Sequence, residues 1–254
     1  ARLLVCGLCD LAPGRLAGIC GQEMPAALQA ELERRLDRRL SGEPLQYIEG
    51  AAYFMGLKFA VDSRVLIPRQ DTETLCEQAL TFLRGYTGAE VLDLCTGSGA
   101  IAISVARLQP GLRVTATDMS SDALSVASEN AHLNGVYVRF MQGDLFEPVA
   151  GERFDAILCN PPYLTADDMV HLQTEVACEP RMALFGGEDG LMFYRRLAHE
   201  VYGHLKPGGY ALFEVGEGQA AEVLRLMSEN AMCAASGTVK DLPGVERVVW
   251  IRSR

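Results

Sequence analysis

From Glu90 onward the sequence alternates short apolar runs with longer amphipathic ones, and this rhythm limits the fold more than any other feature. Strands are expected at residues 91–94, 113–117, 136–141, 154–159 and 210–215, with helices at 100–108, 121–133, 191–205 and 219–230. Strands separated by helices cannot pair as hairpins, so they must run parallel with helices covering both sheet faces. The tail differs. Residues 231–240 and 245–251 are joined only by a turn at Leu242-Pro243-Gly244, which predicts an antiparallel pair at one sheet edge. The fold class is therefore α/β, with a mostly parallel sheet and a C-terminal antiparallel edge.

Upstream, leucines at 28, 32, 36 and 40 and Glu31 four residues before Arg35 predict an amphipathic helix over 25–40 with one dry stripe. Residues 1–42 read as a small helical domain, closed by the Gly42 stop and Pro44. A hairpin interrupted at Gly56 is expected over 52–61, inside a linker of residues 43–68. In Asp71-Thr72-Glu73-Thr74 the short polar side chains are expected to cap a helix running to about Arg84, opening a main domain of residues 69–254.

The chain's net charge is −10, from 33 acidic against 23 basic residues. A surface of that sign repels phosphate backbones, so no stable direct nucleic-acid binding is expected, and a protein partner carrying a basic patch fits better. Arg34, Arg35, Arg38 and Arg39 read as a solvated helix face. The eight cysteines are scattered, several within apolar runs, which suits a reducing, cytoplasmic setting. Cys6 and Cys9 form a lone CxxC with no second pair at zinc spacing, so no metal is expected. No apolar stretch approaches the roughly 20 residues that span a bilayer, and no basic leader precedes the first residues, so neither membrane insertion nor a secretory leader is expected.

Asp93-Leu94-Cys95-Thr96-Gly97-Ser98-Gly99 stands where a buried strand gives way to a helix, the place where open α/β sheets bind ligands. Its glycines let backbone approach a ligand closely. Asp118 ends the next strand, positioned to accept hydrogen bonds from a ribose diol. Gly97-x-Gly99-x-x-Ala102 with a later acid also satisfies a dinucleotide fingerprint, so a nicotinamide-dependent oxidoreductase stays open on these residues. Asp93 tilts the reading, because a carboxylate there repels a pyrophosphate and welcomes an ammonium. S-adenosyl-L-methionine has a cationic tail and no phosphate. After the third strand, Asp144 is placed to accept from an adenine amine and Leu145 to cover the ring, while Phe146 reads as core.

Asn160-Pro161-Pro162-Tyr163 follows the strand 154–159 directly. An amide or aromatic amine nitrogen is a poor nucleophile because its lone pair is delocalised, so a site must hold both N–H bonds and aim the nitrogen at the methyl donor. The Asn160 side-chain oxygen and the Pro161 carbonyl can supply the two acceptors, and the consecutive prolines stiffen the chain. Tyr163 offers a flat face for a planar group. Together with the 93–99 loop this points to an amino-group methyltransferase, on a side-chain amide or, alternatively, on an exocyclic amine of RNA or DNA.

With Gly42-Glu43-Pro44-Leu45-Gln46-Tyr47-Ile48, Phe54-x-Gly56-Leu57, residues 65–73 (Val-Leu-Ile-Pro-Arg-Gln-Asp-Thr-Glu) and Glu179-Pro180-x-x-Ala183-Leu184-x-Gly186-Gly187-x-Asp189-Gly190-Leu191, nearly the whole chain resembles the protein-(glutamine-N5) methyltransferases of peptide chain release factors. The resemblance implies a Rossmann-like class I methyltransferase sheet behind a helical N-terminal domain that contacts the release factor. It implies methyl transfer from S-adenosyl-L-methionine, leaving S-adenosyl-L-homocysteine, to the glutamine of the Gly-Gly-Gln motif. Asn160, Pro161, Pro162 and Tyr163 would hold that amide, with Asn160, Pro161 and Tyr163 as the catalytic set. Asp93, Cys95, Thr96, Gly97, Ser98, Gly99, Asp118, Asp144, Leu145 and Asn160 would line the cofactor site. Cys95 stands where the family usually has glycine, and the helical start is shorter than the family's. Arg69 is placed either to order the substrate loop or to pair with Glu73 at i,i+4.

Overall fold

The computed structural model describes every residue except 1, 10, 12, 20 and 22, so Cys20 lies outside the described residues. Helix α1 (Arg2–Leu8), a 3₁₀ turn (Pro13–Ile19), α2 (Ala26–Leu40) and α3 (Leu45–Glu49) precede a hairpin, β1 (Ala51–Phe54) and β2 (Leu57–Ala60). Then come α4 (Glu73–Phe82), β3 (Glu90–Leu94), α5 (Ala100–Leu108), β4 (Arg113–Asp118), α6 (Ser121–Leu133), β5 (Arg139–Gln142) and β6 (Phe154–Cys159). The chain closes with α7 (Met192–Glu200), β7 (Leu205–Glu214), α8 (Ala220–Ser228), β8 (Cys233–Lys240) and β9 (Glu246–Ser253).

Seven strands form one sheet in the order β5-β4-β3-β6-β7-β9-β8. Strands β3 to β7 pair in parallel, and β9 is antiparallel to both β7 and β8. Strand order reverses between β3 and β6, so a crevice opens at their carboxyl ends. Alternation along β3 and β6 divides the core. Val91, Ala156 and Leu158 pack towards α4, α5 and α6, while Leu92, Leu94, Ile157 and Cys159 pack towards α7 and α8.

Four expectations need correction. The helix expected over 191–205 ends at Glu200; a 3₁₀ turn (Val201–Gly203) follows, and Leu205 already belongs to β7, paired with Phe154. Tyr194, Leu197, Val201 and Leu205 all bury in one core, so helical spacing persists past the helix itself. The strand expected from 136 starts only at Arg139. Helix α3, five residues long, is too short to show a period, although Tyr47 and Ile48 are buried in it. Before α4, a 3₁₀ turn (Gln70–Thr72) takes the place of a side-chain cap, and the Glu73 carboxylate accepts from the Met55 amide of the hairpin instead.

The stripe on α2 is only partly covered: Leu28, Leu32 and Leu36 are half-buried and Leu40 is exposed. Its arginines are paired, Arg34 and Arg35 with Glu31, Arg38 with Glu43, and Arg39 with Glu175 of a distant loop.

Asn130, fully buried on α6, ties the hairpin to the domain behind it. Its Nδ2 donates to the carbonyls of Ala60 (3.0 Å) and Ser98 (2.9 Å), and its Oδ1 accepts from the Ala60 amide (2.6 Å). Asn130→Ala leaves those backbone groups without partners, and we expect urea unfolding to show a loss of about 2–4 kcal/mol.

Candidate active site

The loop after β3 turns sharply because three of its residues adopt left-handed backbone: Cys95 (φ 57°), Gly97 (φ 54°) and Gly99 (φ 80°). At Gly99 a Cβ would sit 2.7 Å from Ile103 Cδ1 and 3.1 Å from Ala127 Cβ, so only glycine lets α5 and α6 pack this closely. A Cβ at Gly97 would meet no protein atom within 4 Å; that position faces open cavity. Cys95 takes a conformation that costs an L-residue about 1–2 kcal/mol; it lies in the wall of the same cavity, with its side chain packed against the core.

Cys95, Thr96, Gly97, Ser98, Asp118, Asp144, Leu145, Asn160 and Pro162 line this first cavity together. Asp118 Oδ2 accepts from the Gly97 amide (2.8 Å) and Oδ1 from Ser120 (2.9 Å), so the acid after β4 also fixes the glycine loop. Burial raises its pKa. Asp144 is held by Arg196 of α7 at 2.7 Å. Leu145, at φ 48°, lies between the cavity wall and the core, and its carbonyl accepts from Thr117 Oγ1. Phe146 is core, stacked on His204 at 4.4 Å. Sequence reasoning missed Val65, Leu66, Ile101, Met182 and Phe193, which supply apolar wall. The signal for two of them was present in the segment 65–73.

Asp93 is not where the sequence places it. Instead of facing an ammonium it is fully buried beneath the loop and absent from the cavity wall. Its Oδ2 accepts from Thr96 Oγ1 (2.6 Å) and from the Ala102 amide in the first turn of α5 (3.1 Å). Burial pushes its pKa up to about 7 against those two hydrogen bonds. Gly99 serves packing rather than the wall. The helix terminus that a dinucleotide's pyrophosphate would use is thus already answered by a carboxylate. The arginines lining the cavity are also engaged, Arg64 by Asp62 and Arg69 by Glu179. Glycine backbone, acidic side chains, apolar wall and lining arginines that are both paired fit the phosphate-free, sulfonium-bearing S-adenosyl-L-methionine.

A second cavity opens beside the first, lined by Tyr163, Glu179, Glu214, Leu45, Gln46 and residues of the 164–176 loop. Leu66, Arg69, Asn160 and Ala183 belong to both walls. Asn160 Nδ2 lies 3.3 Å from Thr72 Oγ1. Neither Asn160 Oδ1 nor the Pro161 carbonyl accepts a hydrogen bond among the described residues. Tyr163 faces the second cavity, and its carbonyl accepts from Gln219 Nε2 at 2.9 Å. Gly190 packs so close to this carbonyl that a Cβ would lie 2.3 Å from it. Arg69 does not pair with Glu73; it joins the buried Glu179, which also accepts from the Ile67 amide (3.0 Å). Among the described residues, no three His, Cys, Asp or Glu side chains gather to hold a metal ion.

A crevice at the strand-order reversal, a glycine loop, an acid after the next strand and an Asn-Pro-Pro-Tyr corner define a class I methyltransferase. Residues 72–201 match the model for the methyltransferase small domain and residues 1–50 that for the PrmC N-terminal domain. The chain is 45% identical to the release factor glutamine methyltransferase of Geobacter sulfurreducens, over 84% of this chain and 74% of that one. It is 42% identical to that of Moorella thermoacetica, over 97% and 88%. It belongs to the release factor glutamine methyltransferase family. A T. thermophilus 16S rRNA N2 G1207 methyltransferase, solved with AdoMet and guanosine, shares the fold at 20% identity and a TM-score of 0.58, over 80% of this chain and 50% of that one.

The raised pKa of Asp93 has a consequence for stability. A carboxyl held near 7 when its ordinary value is 3.8 stabilises the fold in full below that ordinary value and loses the contribution as pH rises through the folded value. Asp93→Asn cannot ionise. We expect the difference in Tm between variant and wild type to move in the variant's favour from about pH 5 to about pH 8, as followed by circular dichroism.

Proposed function

We propose that this enzyme transfers the methyl group of S-adenosyl-L-methionine to the side-chain nitrogen N5 of the glutamine in the Gly-Gly-Gln motif of a peptide chain release factor. The observation that carries the reading is Asn160, which stands in the wall common to both cavities with its Oδ1 free. When bound in the first cavity, the cofactor supplies a methyl group already activated by the sulfonium charge. Asp118 would hold the ribose, Asp144 the adenine amine and Leu145 the adenine face. The glutamine amide enters from the second cavity. Its two N–H bonds are accepted by Asn160 Oδ1 and the Pro161 carbonyl, which turns the nitrogen lone pair towards the methyl group. Tyr163 lies along the entry, with its phenol neutral because burial raises its pKa. No strong base is required, since the nitrogen sheds its proton after transfer.

The division of labour belongs to the same proposal: residues 1–42 contact the release factor, 43–68 link, and 69–254 carry the chemistry. Arg39 reaches the second cavity from the end of α2, placing that helix beside the entry. Among the described residues no helix is long and apolar enough to cross a membrane, and the reading places the enzyme in the cytoplasm with its protein substrate.

Incubation with methyl-labelled cofactor and a release factor should place a single methyl on the Gly-Gly-Gln glutamine, located by peptide mass spectrometry; label elsewhere or nowhere refutes the proposal. Asn160→Ala should lower kcat by about 100-fold while cofactor Kd stays within a few-fold. Asp118→Ala should reverse that order, raising cofactor Kd first, as read by calorimetry.

A further inference from the structure

Glu214 ends β7 at the floor of the second cavity and is 1% exposed. It shares that cavity's wall with Asn160; Thr72 and Asn160 stand near its carboxylate and favour its charged form, while its Oε2 is buried with no partner among the described residues. An ionised carboxylate only accepts hydrogen bonds. A carboxylate at this place therefore favours the Asn160 rotamer that keeps its NH2 on the Thr72 side, and that rotamer leaves Oδ1 for the place where the two cavities meet. The rotamer is visible in the structure: Asn160 Nδ2 donates to Thr72 Oγ1 at 3.3 Å.

We propose that Glu214 is a positioning residue for methyl transfer, which as a carboxylate locks the Asn160 amide with its oxygen towards the substrate nitrogen. The inference rests on the methyl-transfer reading above and adds a required protonation state to it. A protonated Glu214 carries its own O–H donor and accepts either face of the Asn160 amide, so the orientation is no longer unique and fewer encounters are productive.

The groups that face Glu214 come from each element packed against it. Asp71 before α4 and Arg247 on β9 face it, paired with each other at 3.2 Å. Tyr163 from the corner loop, Cys159 from β6, Cys76 from α4 and Tyr194 from α7 also feel it, and burial raises the pKa of all four, keeping them neutral. Burial likewise raises Glu214, to about 7, opposed by the Thr72 hydrogen bond and by Arg247. Asp93 titrates in the same range, but it braces the cofactor loop, so its ionisation is read in cofactor affinity rather than in kcat at saturation.

The test is the pH dependence of kcat at saturating cofactor and release factor, with cofactor Kd measured in parallel. In the wild type kcat should rise with pH along an acid limb centred near 7, the value to which burial raises Glu214. E214Q should lose about tenfold in kcat and the limb itself, with cofactor Kd unchanged within about twofold. E214D should restore a limb at a lower plateau. If E214Q does not fold, Thr72→Val carries the test: it removes a donor that favours the charged form, so the limb should move to higher pH. A wild-type limb in E214Q, or an unmoved limb in Thr72→Val, overturns the role of Glu214 alone. Wild-type protein without activity on the release factor overturns the methyl-transfer reading and this inference with it.

Discussion

The parallel register of β3 and β6 is the constraint on which the site depends. Leu94 lies opposite Cys159, so the chain leaves the two strands at the same height and Cys95 and Asn160 begin their loops side by side. One loop must then bend back sharply to start α5, which three left-handed residues allow. The other stays straight and stiff through Pro161 and Pro162. A cofactor cradle and a nucleophile clamp thus share a wall because two strands share a register.

Within that frame, buried or half-buried acids act as fixed acceptors. Asp93 answers Thr96 and Ala102, Asp118 answers Gly97 and Ser120, and Glu179 answers Ile67 and Arg69. Each holds a backbone segment of the cavity wall in one place. The paired arginines of α2 work differently: their ion pairs are partly exposed, and pairs of that kind contribute about 0–1 kcal/mol. Shape at the site is therefore set by acids shielded from solvent, and the exposed pairs of α2 add little to it.

The sheet was legible where period and punctuation coincide. Helices α5 and α6 and strand β6 fall on their expected bounds because glycine, serine and an acid mark their starts. The loop at 95–99 and the Asn160 corner could be found because their chemistry is local. Contacts between distant segments could not. Nothing near Asp144 announces Arg196, and nothing near Arg69 favours Glu179 over the adjacent Glu73. Asp93 was placed against a ligand because a strand-end acid was read without the loop that folds over it. Glu214, in the run Phe213-Glu214-Val215, carries no local sign of a role; only the packing of β9 and α4 around it makes it interior.

Asn130 spends one side chain on two clients, the hairpin through Ala60 and the cofactor loop through Ser98. Local opening that frees the hairpin strips the loop of its support in the same event. The cradle and the clasp in front of it therefore form a single cooperative unit, and their amide protons should exchange with one shared opening free energy.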